Sequence, residues 1–337
     1  MSKSLRWAIL GPGRIAPRLV RAIGASTRGH LAAVASRDDG RAAAFAATYG
    51  IAQAFGSYEA LLQAPDLDVV YIALPNHLHA EWSVRALQAG KHVLCEKPLA
   101  LTVEQVDAIA AASRRSGCVA VEAFMYLHHP QIRRAIELAT DGTLGRLQLM
   151  VGTFSFYLAH PGDPRAEREM GGGSLWDVGC YPVSLARRIA GLEPDTVAGL
   201  ARFDASGVDR TFIGQLRFPD GWLAQFDSGF AAPDRERVEI VGSDATIILD
   251  APFLPEPDGP APSLRLCRGR ECETLDVPSV DQYRAEVDDI SAVILDGASP
   301  RVSLDFSRGN VGTLMRLDES ARQAAAGSSA PATWLDR

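Results

Sequence analysis

The chain has 337 residues, 47% hydrophobic and 22% charged, ordinary globular proportions that exclude a disordered or fibrous protein and leave room for two domains. A formal net charge of -7 offers no basic surface for a nucleic-acid backbone or an anionic membrane, so neither is an expected partner. No export signal opens the sequence and no run approaches the roughly 20 apolar residues of a membrane span; the five cysteines (Cys95, Cys118, Cys180, Cys267, Cys272) lack paired zinc spacing, so reduced thiols and a cytoplasmic location are expected.

In chain order, strands are predicted over 6–10, 31–35, 69–73, 92–95 and 119–122, with helices over 15–23, 41–49, 79–89 and 103–113 between them. This alternation builds a doubly wound parallel sheet of the Rossmann type, an α/β architecture. Thr102 with Gln105 three residues later reads as a capping box for the fourth helix. After Glu122 the texture changes to one helix over 130–140 and then strands over 147–156, 196–203, 211–218, 221–230, 237–241 and 246–249. Phe212, Gly214, Leu216 and Phe218 alternate with Gln215 and Arg217, as in a strand with one buried face. These strands predict a second, α+β domain with an open, largely antiparallel sheet, whose uncovered face would favour association into a dimer or tetramer. The boundary falls near Phe124, dividing the chain into 1–124 and 125–337. The proline-rich segment 251–263 reads as a surface loop, and 306–325 as a closing amphipathic helix.

The first predicted strand runs into Gly11-Pro12-Gly13-Arg14-Ile15-Ala16, the G-x-G-x-x-A dinucleotide fingerprint in its proper strand-to-helix context. Gly11 allows the tight turn, Gly13 admits a pyrophosphate to the backbone, and the helix N-terminus offers free N–H groups and a positive dipole end. At the end of the second strand, where an NAD-binding chain places an acid for the ribose, stand Ser36 and Arg37. A hydroxyl and a guanidinium suit a 2′-phosphate, so NADP is expected, with NAD possible. The alternative is a solvated Arg37 with Asp38 or Asp39 on the ribose, but Asp38 is better placed to cap the next helix.

Val93-Leu94-Cys95-Glu96-Lys97-Pro98 ends a buried strand at the edge where open α/β sheets bind ligands. With the glycine turn, the segment Pro75-Asn76-His77-Leu78-His79 and the G-G-G-S-L-W-D-V-G-C-Y-P run from Gly171 to Pro182, this order of motifs strongly resembles the Gfo/Idh/MocA oxidoreductase family over nearly the whole chain. The resemblance implies hydride transfer between nicotinamide and a sugar-like carbinol carbon. It implies an NADP site that includes Gly11, Gly13, Arg14, Ile15, Ser36, Arg37, Leu74, Asn76, His79, Glu96 and Lys97, with residues 1–124 holding the cofactor and 125–337 the substrate and the oligomer contacts. The matched catalytic positions are Lys97, Asp177 and Tyr181. Tyr181, where many members carry His, looks like the branch containing glucose-fructose oxidoreductase, NADP-dependent xylose dehydrogenases and dimeric dihydrodiol dehydrogenase.

The chemistry reads the same way. A phenol takes a hydroxyl proton near neutrality only if its pKa falls from about 10, and Lys97 is expected to lower that of Tyr181. Asp177 and Tyr181, four apart, would share a helical face unless Pro182 kinks it. A non-catalytic NADP-binding regulator of the same fold is the competing reading; it could discard the lysine and the acid-tyrosine pair. His77 and His79 lack the acidic or thiol neighbours of a metal site, so no metal is expected. His128 and His129, at the domain junction, read as structural, with one ring reaching the substrate as the alternative, and Arg165 and Arg168 read either as binding sugar hydroxyls or a phosphate or as solvated charges.

Overall fold

The computed structural model describes residues 4–158, 162–255 and 262–327. Strands β1 (Leu5–Leu10), β2 (Gly29–Ala35), β3 (Gln53–Phe55), β4 (Val69–Ile72), β5 (His92–Glu96) and β6 (Ala120–Ala123) form a parallel sheet in the order β3-β2-β1-β4-β5-β6. Their apolar runs are buried on both faces, so they lack the polar alternation of a half-solvated sheet. The interleaved helices are α1 (Ala16–Ala25), α2 (Asp39–Tyr49), α3 (Tyr58–Leu62), α4 (Asn76–Gln88) and α5 (Val103–Ser116). The chain moves outward from β1 to β3 and returns to β4, so the direction of winding reverses between β1 and β4, where a crevice opens at the carboxyl ends. The Thr102–Gln105 capping box forms as read. β3 and α3 escape the sequence reading because three and five residues are too few to show a period.

Beyond β6 come α6 (Pro130–Thr140), β7 (Leu147–Tyr157), α7 (Cys180–Ala190), β8 (Thr196–Phe203), β9 (Asp209–Arg217), β10 (Leu223–Gly229), β11 (Ala231–Gly242), β12 (Thr246–Asp250), β13 (Leu264–Arg268), β14 (Glu271–Leu275), α8 (Gln282–Asp296) and α9 (Leu304–Gly327). The strands make one sheet in the order β14-β13-β12-β11-β7-β10-β9-β8, antiparallel except where β7 and β10 run parallel. Along β9, Phe212, Gly214 and Leu216 are buried while Thr211, Ile213 and Gln215 face outward, the expected period of two. The inner face carries helices. A Cβ on Gly152 of β7 would stand 2.9 Å from Pro182 of α7, so helix and sheet touch at backbone range there. The outer face leaves Tyr157, Leu200, Ile213 and Leu223 exposed.

Within the proline-rich segment, residues 251–255 and 262–263 are irregular, and 256–261 lie outside the described residues. Helix α8 is an element the sequence reading lacked. It packs back against α1, where Ser26 Oγ donates to Asp288 at 2.6 Å and Arg28 grips Asp296 with two bonds of 2.7 Å. The cysteine expectation needs correction, because Cys267 and Cys272 are joined as a disulfide. The hairpin of β13 and β14 sets them directly opposite each other, a register that cysteine spacing alone does not disclose. Cys95, Cys118 and Cys180 are free thiols. No helix among the described residues is long and apolar enough to cross a membrane.

Candidate active site

At the end of β1 the backbone turns through Gly11, whose φ of 95° lies in the left-handed region. A Cβ there would meet the Ala73 carbonyl oxygen at 2.9 Å, so only glycine allows this turn so close to the end of β4. Helix α1 then starts with no side-chain cap and no acid in its first turn, so its positive dipole end is unneutralised beside the crevice, although Ala16 N and Arg18 N already donate to the Gly13 and Ile15 carbonyls and Pro17 has no N–H. Beside it, at the end of β2, Ser36 is buried and Arg37 lies against the Tyr58 hydroxyl. Asp38 is occupied as the cap of α2, accepting from Arg41 N at 2.7 Å. Arg41 in turn reaches over to donate to the Pro12 carbonyl at 3.0 Å.

The loop after β4 supplies Leu74 and Asn76, and Asn76 Nδ2 donates to the Gly171 carbonyl at 2.9 Å, tying the first sheet's crevice to the glycine run. His79 borders the same space, yet its ring nitrogens sit 2.7 and 2.8 Å from the carbonyls of Leu74 and Pro98. It therefore braces the loops after β4 and β5. At the end of β5, Glu96 accepts a short hydrogen bond from the Tyr71 hydroxyl, and burial raises its pKa against the opposing pull of that bond and of Lys97.

Lys97 donates to Asp177 twice, to Oδ1 at 2.8 Å and to the backbone oxygen at 2.5 Å. Burial is the largest influence and works against its ammonium, but Asp177, together with Cys180 and Glu96, holds the pKa above the ordinary lysine value. Asp177 sits in a π-helical turn, Leu175–Gly179, that feeds α7. Pro182 has no N–H to return to Val178 O, and the helix widens just ahead of it. Arg165 bonds the other oxygen of Asp177 at 3.4 Å and grips Asp163 with two bonds of 3.0 Å. Asp163 also pairs with Arg14 of the glycine turn. Although burial pushes the Asp163 carboxyl up, Arg165 and Arg14 hold it at about 2. An alternating series of charges, Lys97, Asp177, Arg165, Asp163 and Arg14, thus runs from β5 across to the cofactor turn.

Tyr181 is buried among Phe124, Tyr126, Phe154 and Phe253, with its hydroxyl 3.7 Å from Met125 Sδ. The Lys97 ammonium stands over the face of this ring, 5.1 Å from its centre. This differs from the expected phenolate. Burial is the main influence on the phenol and, with neighbours that include Glu96 and Asp177, holds its pKa well above 10.

All the residues named from sequence, from Gly11, Gly13, Arg14 and Ile15 through Ser36, Arg37, Leu74, Asn76, His79, Glu96 and Lys97 to Asp177 and Tyr181, line one cleft of about 1380 Å³. Arg165 lines it too, and Arg168 does not. His128 and His129 lie off it. His128 is buried, which drives its pKa down to about 3, and His129 caps α6 by accepting from Gln131 N. Sequence reasoning missed Arg41 and Tyr58 at one end of the cleft, and Phe154, Phe156, Asp163, Asp234, Arg235, Glu236 and Tyr283 toward the other. Of these, Asp163 has a readable local trace, as an Asp-Pro-Arg turn whose carboxylate caps Arg165 N. Among the described residues no group of His, Cys, Asp or Glu could hold a metal.

Residues 5–124 match the GFO/IDH/MocA model described as an oxidoreductase family with an NAD-binding Rossmann fold, and 132–248 match the GFO/IDH/MocA C-terminal domain. The chain is 36% identical to D-xylose 1-dehydrogenase (NADP(+)) 2 of Haloferax volcanii over 324 residues, covering 96% of this chain and 99% of that one. An aldose-aldose oxidoreductase from Caulobacter crescentus, solved with glycerol, superposes with a TM-score of 0.88 at 29% identity, covering 96% and 98% of the two chains. A 3-ketoreductase from Actinomadura kijaniata, solved with NADP and TDP-benzene, gives 0.87 at 31% identity, covering 95% and 98%.

Proposed function

The chain belongs to the GFO/IDH/MocA oxidoreductase family, and from that premise we propose that it is an NADP-dependent enzyme moving a hydride between nicotinamide and a carbinol carbon of a sugar or polyol. The observation that carries this reading is the single cleft running from the glycine turn to Lys97, Asp177 and Tyr181. The cofactor end fits the dinucleotide. The uncapped first turn of α1 and Gly13 would hold the pyrophosphate, and Ser36, Arg37 and Arg41 the 2′-phosphate. Asp38 is spent as a helix cap, which favours NADP over NAD. Leu74, Asn76, His79 and Glu96 would border the nicotinamide end. In the family's terms, residues 1–124 form the cofactor domain and 125–337 the substrate and assembly domain.

When bound, the cofactor supplies or takes up the hydride. The remaining work falls to this chain. In carbonyl reduction the Tyr181 hydroxyl, kept protonated by burial, gives its proton to the substrate oxygen as that oxygen becomes an alkoxide. Lys97 spends two N–H bonds on Asp177 and keeps a third for the same oxygen, meeting its developing charge. Asp177 keeps that ammonium charged and aimed, and Arg165 fixes Asp177 from the far side. In alcohol oxidation the hydroxyl proton returns to a Tyr181 phenolate, a form that alkaline solution favours, so oxidation rises with pH. The exposed apolar residues on the outer face of the second sheet support a homodimer or homotetramer, and the expected NADP chemistry supports a cytoplasmic setting.

The test is spectrophotometric. Purified protein is mixed with NADPH or NADP and a panel of aldoses, keto-sugars and polyols, and a change in NADPH absorbance with at least one of them is expected. NADPH that binds without any turnover across the panel would instead indicate a non-catalytic sensor.

A further inference from the structure

Free sugars and sugars carried on a nucleoside diphosphate differ in one property that the cleft can read, which is charge. A diphosphate is held by unpaired Arg or Lys side chains or by an open helix N-terminus. The cofactor end of the cleft has both, in Arg37 and Arg41, which have no carboxylate partner among the described residues, and in the positive end of α1, which has no side-chain cap. At the substrate end, among the described residues, the lining cations Lys97, Arg165 and Arg235 are matched by carboxylates, and Arg18, reaching in from α1, is engaged over the Tyr283 ring at 5.5 Å. Lys97 is held by Asp177 at 2.8 Å, and Arg165 by Asp163 through two bonds of 3.0 Å. Arg235 is held by Asp227 through bonds of 2.8 and 3.3 Å. Asp234 adds a carboxyl group with no bridging cation among the described residues, and Glu236 adds another, whose Oε1 accepts from Phe253 N and from Leu254 N at 2.7 Å and whose pKa is raised by burial. The N-terminus of the turn leading into α7 is also taken, because Asp209 accepts there from Ser174 Oγ at 2.6 Å and Leu175 N at 2.8 Å.

What this end does offer is a set of fixed carboxylates and guanidinium groups that can exchange hydrogen bonds with hydroxyls. Phe154 and Phe156 add apolar surface to its lining. We propose that the substrate is an uncharged, unphosphorylated sugar or polyol, and that the charge-matched, carboxylate-rich substrate end excludes nucleotide-linked and phosphorylated sugars. The proposal rests on the hydride-transfer reading, and the experiment separates the two.

Steady-state rates are measured with NADP and NADPH on free aldoses, ketoses and polyols, and on dTDP-linked hexoses and hexose phosphates at equal concentrations. In parallel, dTDP is titrated calorimetrically into protein saturated with NADP, so that the cofactor end is closed to it. The expected result is turnover of a free sugar with kcat/KM about a hundred-fold or more above any charged one, since unmatched like charge is a strong discriminator. No dTDP heat is expected at millimolar concentration. Equal or better turnover of a dTDP-linked or phosphorylated sugar overturns the proposal, and so does dTDP binding that a free sugar displaces. If no sugar of either kind turns over, the hydride-transfer reading fails, while the calorimetric arm still judges the charge argument.

Discussion

Replacing Asp177 with Asn separates charge from position in the proposed proton-transfer site. Asn keeps the shape and an oxygen for Lys97, and the backbone oxygen of residue 177 still accepts from the ammonium at 2.5 Å, so the lysine stays in place. What disappears is the carboxylate that does most to oppose the burial of Lys97. A charge-assisted hydrogen bond contributes roughly 1.5 to 3 kcal/mol, which is about ten- to more than a hundred-fold in the lysine's protonation equilibrium. The sign follows from the direction of each shift. In the parent, Lys97 and Tyr181 are both held protonated above their ordinary values, so carbonyl reduction should be nearly flat from neutral to alkaline pH. In Asp177→Asn, burial acts on Lys97 without its main opponent, the ammonium loses its proton at lower pH, and the reduction rate falls on the alkaline side. The assay is NADPH oxidation with a saturable carbonyl substrate over the neutral to alkaline range, together with NADPH affinity from fluorescence. A pH profile that superposes on the parent's at undiminished rate would refute the role given to Asp177.

Tyr181→Phe should lower kcat by roughly a hundred- to ten-thousand-fold, the usual effect of losing a positioned proton donor, with NADPH affinity unchanged; near-normal turnover would assign the proton to another group. Arg37→Asp should narrow or reverse the preference for NADP over NAD, read as the ratio of kcat/KM values, and equal use of both cofactors by the parent would remove the argument. Glu122 is buried, accepts from Leu99 N at 2.9 Å, and has its pKa raised by burial from 4.5 to about 7. A raised carboxyl favours the folded state below its unfolded pKa and loses that contribution as pH rises through the folded one. Glu122→Gln should therefore raise Tm relative to the parent at pH about 8 and leave it little changed near pH 4, with an upper limit of about 3 kcal/mol; the same difference at both pH values would contradict this. Light scattering should give a mass above 36.1 kDa, because Tyr157, Leu200, Ile213 and Leu223 stand exposed on one sheet face.

The legible parts of this molecule are those in which a local rule and the global fold agree. The glycine turn was readable because a left-handed Gly11 pressed against Ala73 leaves no alternative residue, and it follows directly from a buried strand. Thr102 with Gln105 and Asp38 as a cap are likewise contained in a few residues. The alternation of Phe212, Gly214 and Leu216 announced a sheet with one open face. The order of eight strands could not be read in the same way, since it depends on pairings between segments as distant as β7 and β10.

The substrate end was poorly legible for the same reason. Asp163 matters because Arg14, 149 residues away, and Arg165, two residues away, meet at its carboxylate, and only the nearer partner is visible in the chain. Helix α8 illustrates the opposite error. Its cap Asp281 and the buried Val287 and Ile290 carry an ordinary helical signal, overlooked beside the proline-rich loop, yet Tyr283 and its contact with Arg18 border the cleft. The Lys97–Tyr181 pair is the subtlest case. Sequence placed an ammonium and a phenol together and elementary electrostatics then favoured a phenolate, but the direction of the effect depends on which part of the ring the ammonium meets. Over the ring face it leaves the hydroxyl to burial, and the tyrosine becomes a proton donor. Residue identity thus specified the participants, whereas the resting proton inventory, and with it the reaction direction the site is set for, is a property of their three-dimensional arrangement.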